Sequence, residues 1–235
     1  MNPIGVVICN YNKKDFVLQC VQSVLKSKEK NFDIYVVDNA SSDGSAEALK
    51  KAYGNRITVI ENKENLGGSG GFNTGLRIVR DKGYSYFMCL DDDAAVDENA
   101  LSVLYHYMEE HTDTGMAGCR VYHTQMSDYI QQSGLLIDFD NCTAKTIGAD
   151  MPEDGSLPDV IECDTVATCA VMVRADTVKQ KGVGIMPEDN FIYWDDMEWG
   201  YRIKLAGYRV VTLAEAKALH QMGANTKKEN TFINY

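Results

Sequence analysis

The sequence predicts an open α/β fold, a Rossmann-like and mostly parallel sheet with helices on both faces. Three observations carry that expectation. A continuous apolar run, Ile4 to Cys9, opens the chain; strand-like and helix-like segments then alternate through about 90 residues; and the apolar strand Tyr84 to Leu90 stops abruptly at Asp91-Asp92-Asp93. Uninterrupted apolar strands are what burial on both sheet faces selects. Strands alternating with helices require right-handed crossovers and gather ligand-binding residues at the strands' carboxyl ends.

After the first strand, apolar residues at Val17, Val21, Val24 and Leu25 recur at helical spacing, which predicts a helix over Asp15 to Leu25. Strand Phe32 to Val37 precedes helix Gly44 to Tyr53. Strand Arg56 to Ile60 precedes a helix that carries Phe72, Leu76 and Val79 on one face and ends at Gly83. The second half is less regular. It reads as a helix over Glu98 to His111, a strand over Met116 to Val121 and a polar stretch of short strands or loops over Asp138 to Asp164. Strand Val166 to Val173, helix Asp195 to Ala206 closed by Gly207, and strand Tyr208 to Leu213 complete the order. With no repeat or linker in 235 residues, one domain is expected, with a functional seam near residue 100.

Composition narrows the function. Against 34 Asp+Glu there are only 23 Lys+Arg, a net charge of −11 that opposes nucleic acid as a partner, because phosphate backbones are held by clustered cations. Seven cysteines without a C-x-x-C pair argue against a disulfide framework or zinc knuckle and for a reducing cytoplasm. Cys9, Cys89 and Cys169 lie in apolar runs and read as small buried hydrophobes. No apolar run approaches the length of a membrane span.

Four clusters carry potential chemistry. Asp38 ends a strand; it is either turn chemistry or a carboxylate that accepts hydrogen bonds from a ligand such as a nucleobase N–H. Asn65-Leu66-Gly67-Gly68-Ser69-Gly70-Gly71 is a Gly-rich approach to a helix, where backbone can come close to a ligand. Asp91, Asp92 and Asp93 repel one another at the end of a buried strand, and alternation along an extended chain points Asp91 and Asp93 the same way. A hard divalent cation, Mn²⁺ or Mg²⁺, removes that repulsion and bridges to a diphosphate. Asp195 and Asp196 sit among Phe191, Tyr193, Trp194 and Trp199, as in a sugar site where rings stack on the sugar and a carboxylate takes a hydroxyl proton. Glu198 and Arg202 read as an ordinary i,i+4 pair. His220 is the only histidine of the last hundred residues, while His106, His111 and His123 read as surface.

In this order the landmarks Val6 to Asn12, Val37 to Gly44, Asn65-Leu66-Gly67 with Asn73 and Gly75, Leu90 to Asp93, and Trp194-Asp195-Asp196 with Arg202 and Gly207 span nearly the whole chain. Together they resemble the family 2 inverting glycosyltransferases of GT-A fold, and most of all the rhamnosyltransferase and galactofuranosyltransferase branch. The resemblance implies a single GT-A catalytic domain over 1–235, with a nucleotide-sugar half to about residue 100 and an acceptor and catalytic half beyond. It implies a UDP- or dTDP-linked sugar donor contacted by Asn10, Asn12, Asp38, Asn65, Gly67, Asn73, Asp91 and Asp92. It further implies Mn²⁺ or Mg²⁺ on Asp91, Asp93 and His220, with Asp196 as general base and Asp195 beside it. The acceptor, a glycan or glycolipid, would lie against Trp194, with Tyr193 and Trp199 in support. The opening departs from the commonest family form, with Cys9-Asn10 where many members have Pro-Thr.

Two other classes of function were set against this one. A haloacid-dehalogenase-type phosphatase also places D-x-D after a strand, but needs Thr or Val where Ala95 stands. A non-catalytic glycan- or nucleotide-binding relative would not need both acidic sites. The abrupt ending at Phe232, Ile233 and Tyr235 suggests the catalytic part of a longer protein that meets a membrane or partner beyond residue 235.

Overall fold

The computed structural model describes residues 3–189, 191–192 and 194–221. The expectations for Tyr193 and for the segment 224–235 lie outside these residues. The first half runs β1 (Ile4–Asn10), α1 (Lys14–Leu25), β2 (Phe32–Asp38), α2 (Ser45–Tyr53), β3 (Thr58–Glu61), α3 (Gly67–Asp81), β4 (Tyr86–Asp91), β5 (Ala94–Val96) and α4 (Ala100–Glu110). The second half runs β6 (Thr114–His123), β7 (Met126–Gln132), β8 (Leu135–Asp138), β9 (Thr143–Thr146), β10 (Met151–Pro152), β11 (Val160–Glu162), β12 (Ala170–Arg174), α5 (Asp195–Leu205) and β13 (Arg209–His220).

An eleven-stranded sheet has the order β10-β7-β6-β12-β4-β1-β2-β3, and β13 pairs with β6, β11 and β5. Strands β4, β1, β2 and β3 are parallel neighbours, as the alternation of strands and helices requires. Strand β12 then enters antiparallel between β4 and β6. Beyond it, β13 resumes parallel pairing with β6.

Helices cover both faces, which is why the strands are apolar throughout. Ile4, Val6 and Ile8 of β1 pack with Val17 and Val21 of α1, Leu49 of α2 and Leu101 and Leu104 of α4. On the opposite face, Val7 packs in the cluster that contains Phe72, Leu76 and Val79 of α3 and Trp199 and Ile203 of α5. The thiols of Cys20, Cys89, Cys119, Cys163 and Cys169 are free and buried, as apolar surroundings favour.

Two local expectations change. The Gly-rich run is helix from Gly67 onward and not an open loop. Its glycines serve packing: a Cβ on Gly71 would lie 2.4 Å from Cys9 Sγ, and one on Gly75 would lie 2.4 Å from Val7 Cγ1. The last strand, expected to stop at Leu213, continues to His220 after an irregularity between Leu213 and Lys217. Its end pairs with β5, a strand hidden in the sequence behind the acidic triplet.

Candidate functional site

Parallel register brings the carboxyl ends of three strands together: Asn10 lies beside Asp38 and Cys9 beside Asp91. A cavity of about 650 Å³ opens over this edge, lined by Asp91, Gly68, Phe72, Trp194, Asp195, Asp196, Met197 and His220, among others. A smaller one of about 200 Å³ adjoins it, with Tyr11, Lys13, Asn39, Asn65, Gly67, Asp92 and Phe191 in its wall. Both share Gly68, Phe72, Asp91 and Ile192.

The acidic triplet is arranged by a turn and a strand pairing. Strand β4 ends at Asp91, the chain turns through Asp92 and Asp93, and β5 pairs antiparallel with β13 so that His220 faces Ala94. His220 Nε2 then lies 3.2 Å from Asp93 Oδ1 and 3.7 Å from Asp91 Oδ2. Ligand atoms of Asp91, Asp93 and His220 fall within 4.8 Å of one another. His220 Nδ1 is 2.7 Å from Gln131 Oε1, while Gln131 Nε2 donates to the His220 carbonyl at 3.1 Å. That second bond fixes the amide's orientation, so the oxygen faces Nδ1 and the proton sits on Nδ1; Nε2 then faces the carboxylates, donating to Asp93 when protonated and able to ligate a cation once that proton is lost. Two carboxylates and one imidazole form a mixed O/N donor set that fits a divalent cation, Mn²⁺ better than the oxygen-preferring Mg²⁺.

Lys13 balances part of the charge. Its Nζ lies 3.0 Å from Asp92 Oδ1 and 2.7 Å from Asp93 Oδ2, and the Tyr11 backbone N–H donates to Asp92 Oδ2. Burial pushes the Asp92 carboxyl up to about 7 against the opposing pull of Lys13. Burial would also raise Asp93, but the His220 hydrogen bond and the Lys13 charge outweigh it and hold Asp93 below its ordinary range.

Around the smaller cavity, polar side chains brace the loops. Asn10 Nδ2 donates to Asp38 Oδ1 at 2.8 Å and to Ser41 Oγ at 3.1 Å, and the Ser41 N–H donates to Asp38 Oδ2. Asn12, in the left-handed region at φ 54°, accepts the Ser42 N–H and ties the loop after β1 to the loop after β2. Asn39 Nδ2 donates to Asn65 Oδ1 and the Gly67 carbonyl, while its Oδ1 accepts from Asn62 and Leu66. Gly67 is required twice over: its φ is +75°, and a Cβ there would lie 2.1 Å from the Phe191 carbonyl, which also accepts the Gly68 N–H.

Three of the expected ligand contacts are buried. Asn10 is fully buried, with its Nδ2 holding Asp38 and Ser41 and its Oδ1 without a partner among the described residues. Asn73 is buried in α3, donating to the Met186 carbonyl and Glu188 Oε1. Trp199 has no exposed surface and donates its indole N–H to the Gly184 carbonyl, so it belongs to the core and not to an acceptor platform. Trp194, by contrast, is 48% exposed at the head of α5.

Asp195 and Asp196 open α5 at the cavity wall. A Cβ on Gly68 would stand 3.7 Å from Asp195 Oδ2, which places that carboxylate against the first turn of α3. Burial, reinforced by Asp195, pushes the Asp196 carboxyl up to about 7 even though the Met197 N–H binds its Oδ1 at 2.8 Å. A carboxyl near 7 is matched to proton transfer at neutral pH. Lys13 and Gln131 were invisible to the sequence reading, because neither stands in a motif and both act through tertiary neighbours.

The sequence profile of glycosyl transferase family 2 matches residues 5–172, well over half of the chain. The chain belongs to that family. Glycosyltransferase GlyG of Streptococcus pneumoniae serotype 4 is 29% identical over 109 residues, which are 46% of this chain and 35% of GlyG. The UDP-Glc:alpha-D-GlcNAc-diphosphoundecaprenol beta-1,3-glucosyltransferase WfaP of Escherichia coli is 30% identical over 109 residues, 46% of this chain and 42% of WfaP. The chain therefore matches less than half the length of these curated relatives. Among solved structures, a mannosyltransferase from Pyrobaculum calidifontis in complex with GDP-Man and Mn²⁺ superposes with a TM-score of 0.68 at 16% identity, over 95% of this chain and 58% of that one. TarS of S. aureus with UDP-GlcNAc gives 0.68 at 16% identity, over 97% and 61%. These likenesses establish the GT-A fold. Among the described residues no helix is long and apolar enough to cross a membrane.

Proposed function

We propose that this chain is a metal-dependent inverting glycosyltransferase that moves a sugar from a UDP- or dTDP-linked donor, such as galactofuranose or rhamnose, to a hydroxyl of a glycan or glycolipid. The observation that carries the reading is the meeting of two acidic groups in one cavity: Asp91, Asp93 and His220 on one wall, Asp195 and Asp196 on another. Relatives named for nucleotide sugars, for Mn²⁺ and for a diphosphoundecaprenol acceptor support it. A reducing compartment suits the free thiols of the described residues, and a lipid-diphosphate acceptor would bring the enzyme to the inner face of a membrane.

Asp91, Asp93 and His220 would hold a divalent cation, which would supply positive charge to the departing diphosphate. The remaining work falls to the chain's own side chains. Asp38, clamped by Asn10 and the Ser41 N–H, accepts a pyrimidine N–H. Asn12, Asn65 and Gly67 shape the loops around the donor. Asp196 takes the proton of the acceptor hydroxyl as that oxygen attacks the anomeric carbon opposite the leaving group, so one displacement inverts the centre. Trp194 offers a ring face to the acceptor sugar, and Asp195 orients its hydroxyls.

Donor hydrolysis and transfer measured across a panel of nucleotide sugars, with Mn²⁺ and with EDTA, test the reading. Transfer that needs the cation and is lost in Asp196→Asn is expected. Nucleotide binding without any turnover would leave the non-catalytic relative in its place. Family membership already sets aside the phosphatase.

A further inference from the structure

Helix α5 carries a second surface beside the one that holds Asp196. Trp194, Met197 and Tyr201 recur at helical spacing, and with Phe139 and Thr143 of the β8–β9 hairpin they line a groove of about 400 Å³. Trp194 and Met197 line both this groove and the 650 Å³ cavity, so the two spaces adjoin across these side chains. Phe139 is 60% exposed, and its ring centroid lies 4.9 Å from that of Tyr201 with the planes tilted by 51°. The hairpin is braced: the Asp138 carboxylate accepts the backbone N–H groups of Asp140 and Asn141 and the Asn141 side-chain amide. Phe139 is thus held in place while its face meets water, an arrangement that is unfavourable unless something covers it.

The lining selects the occupant. Ring faces are flanked by the Thr143 hydroxyl, the Asp138 carboxylate and the Glu198 carboxylate paired with Arg202, and no Lys or Arg is among the described residues that line the groove. A phosphate headgroup would meet carboxylates there and, among the described lining residues, no cation. A neutral pyranose, with C–H faces for the rings and hydroxyls for the oxygens at the rim, matches both features. Tyr201 lies seven residues beyond Trp194, about 10 Å along the helix, within reach of a further sugar ring attached to one at Trp194.

We propose that this groove is a distal acceptor subsite, in which the sugar behind the one being modified lies on Phe139 and Tyr201. The proposal rests on the glycosyltransferase reading above and extends it to acceptors of at least two sugars.

Saturation-transfer NMR on the full chain with UDP and Mn²⁺ tests it, using cellobiose, lactose and N,N′-diacetylchitobiose against their methyl monosaccharides and dodecyl phosphate. At least one disaccharide should bind more tightly than its monosaccharide. Phe139→Ala and Tyr201→Ala should weaken that disaccharide about 2- to 12-fold, the range of an aromatic stacking contact. Phe139→Trp should restore it, and the UDP signal should stay unchanged in all three variants. Disaccharide binding indifferent to both alanine variants, no disaccharide binding, or saturation of dodecyl phosphate in the groove instead would overturn the subsite. Loss of UDP binding in the unaltered protein would instead count against the glycosyltransferase reading, which the sugar signals do not test.

Discussion

At Asp196 the proposed chemical role comes with a stability cost. Its carboxyl is pushed up to about 7 chiefly by burial, so the ionised base is present above that pH. The rate of transfer should therefore rise with pH through an inflection near 7, and Asp196→Asn should lower kcat by about 10²–10⁴ while nucleotide affinity is largely kept. The same shift works against stability: between the ordinary carboxylate range and 7 the folded state binds more protons than the unfolded one, so this group's contribution falls as pH rises. Lys13 has the opposite character, since its ammonium is the counter-ion of two buried carboxylates. Lys13→Met should cost about 3 kcal/mol in a urea titration at pH 8, because the buried carboxylates lose their counter-ion and must either stay charged in the interior or take up a proton. Added Mn²⁺ should return part of that loss.

Whole elements act on the site by how closely they approach. Helix propensity alone predicts that Gly75→Ala gains about 1 kcal/mol. The 2.4 Å approach to Val7 Cγ1 reverses the sign, and overpacking should cost about 1–3 kcal/mol, measurable as a lower urea midpoint. Strand β7 contributes at a distance, since its Gln131 fixes the tautomer of His220 across the sheet. Gln131→Leu should weaken Mn²⁺ binding about 10- to 100-fold by calorimetry without touching the metal's own ligands. Strand β13 matters through its length: only the stretch beyond Lys217 pairs with β5 and delivers His220 to Asp93.

On the scale of the molecule, nucleotide and metal should stabilise the fold together. The melting temperature should rise with UDP and Mn²⁺ combined by more than with either alone, and EDTA should abolish the excess, as ligand linkage requires. Equal shifts with and without EDTA would remove the cation from the mechanism. The sequence alone determined the parallel block β1 to β4 and the place of ligands at its carboxyl edge, because two-sided burial and strand–helix alternation are local patterns. The family resemblance added roles for Asp38, Asp91, Asp93, Asp196 and His220, of which the fold gathers Asp91, Asp93 and His220 in one cluster and lines the same cavity with Asp196. The sequence could not tell which polar residues face the cavity. Asn10, Asn73 and Trp199 resemble contacts in sequence but are buried, whereas Lys13, Gln131 and Phe139 acquire their places only when distant segments meet. Hydrophobic periodicity is written in neighbouring residues, but a side chain's partners are fixed by strand register and helix approach, which arise only when the whole sheet is assembled.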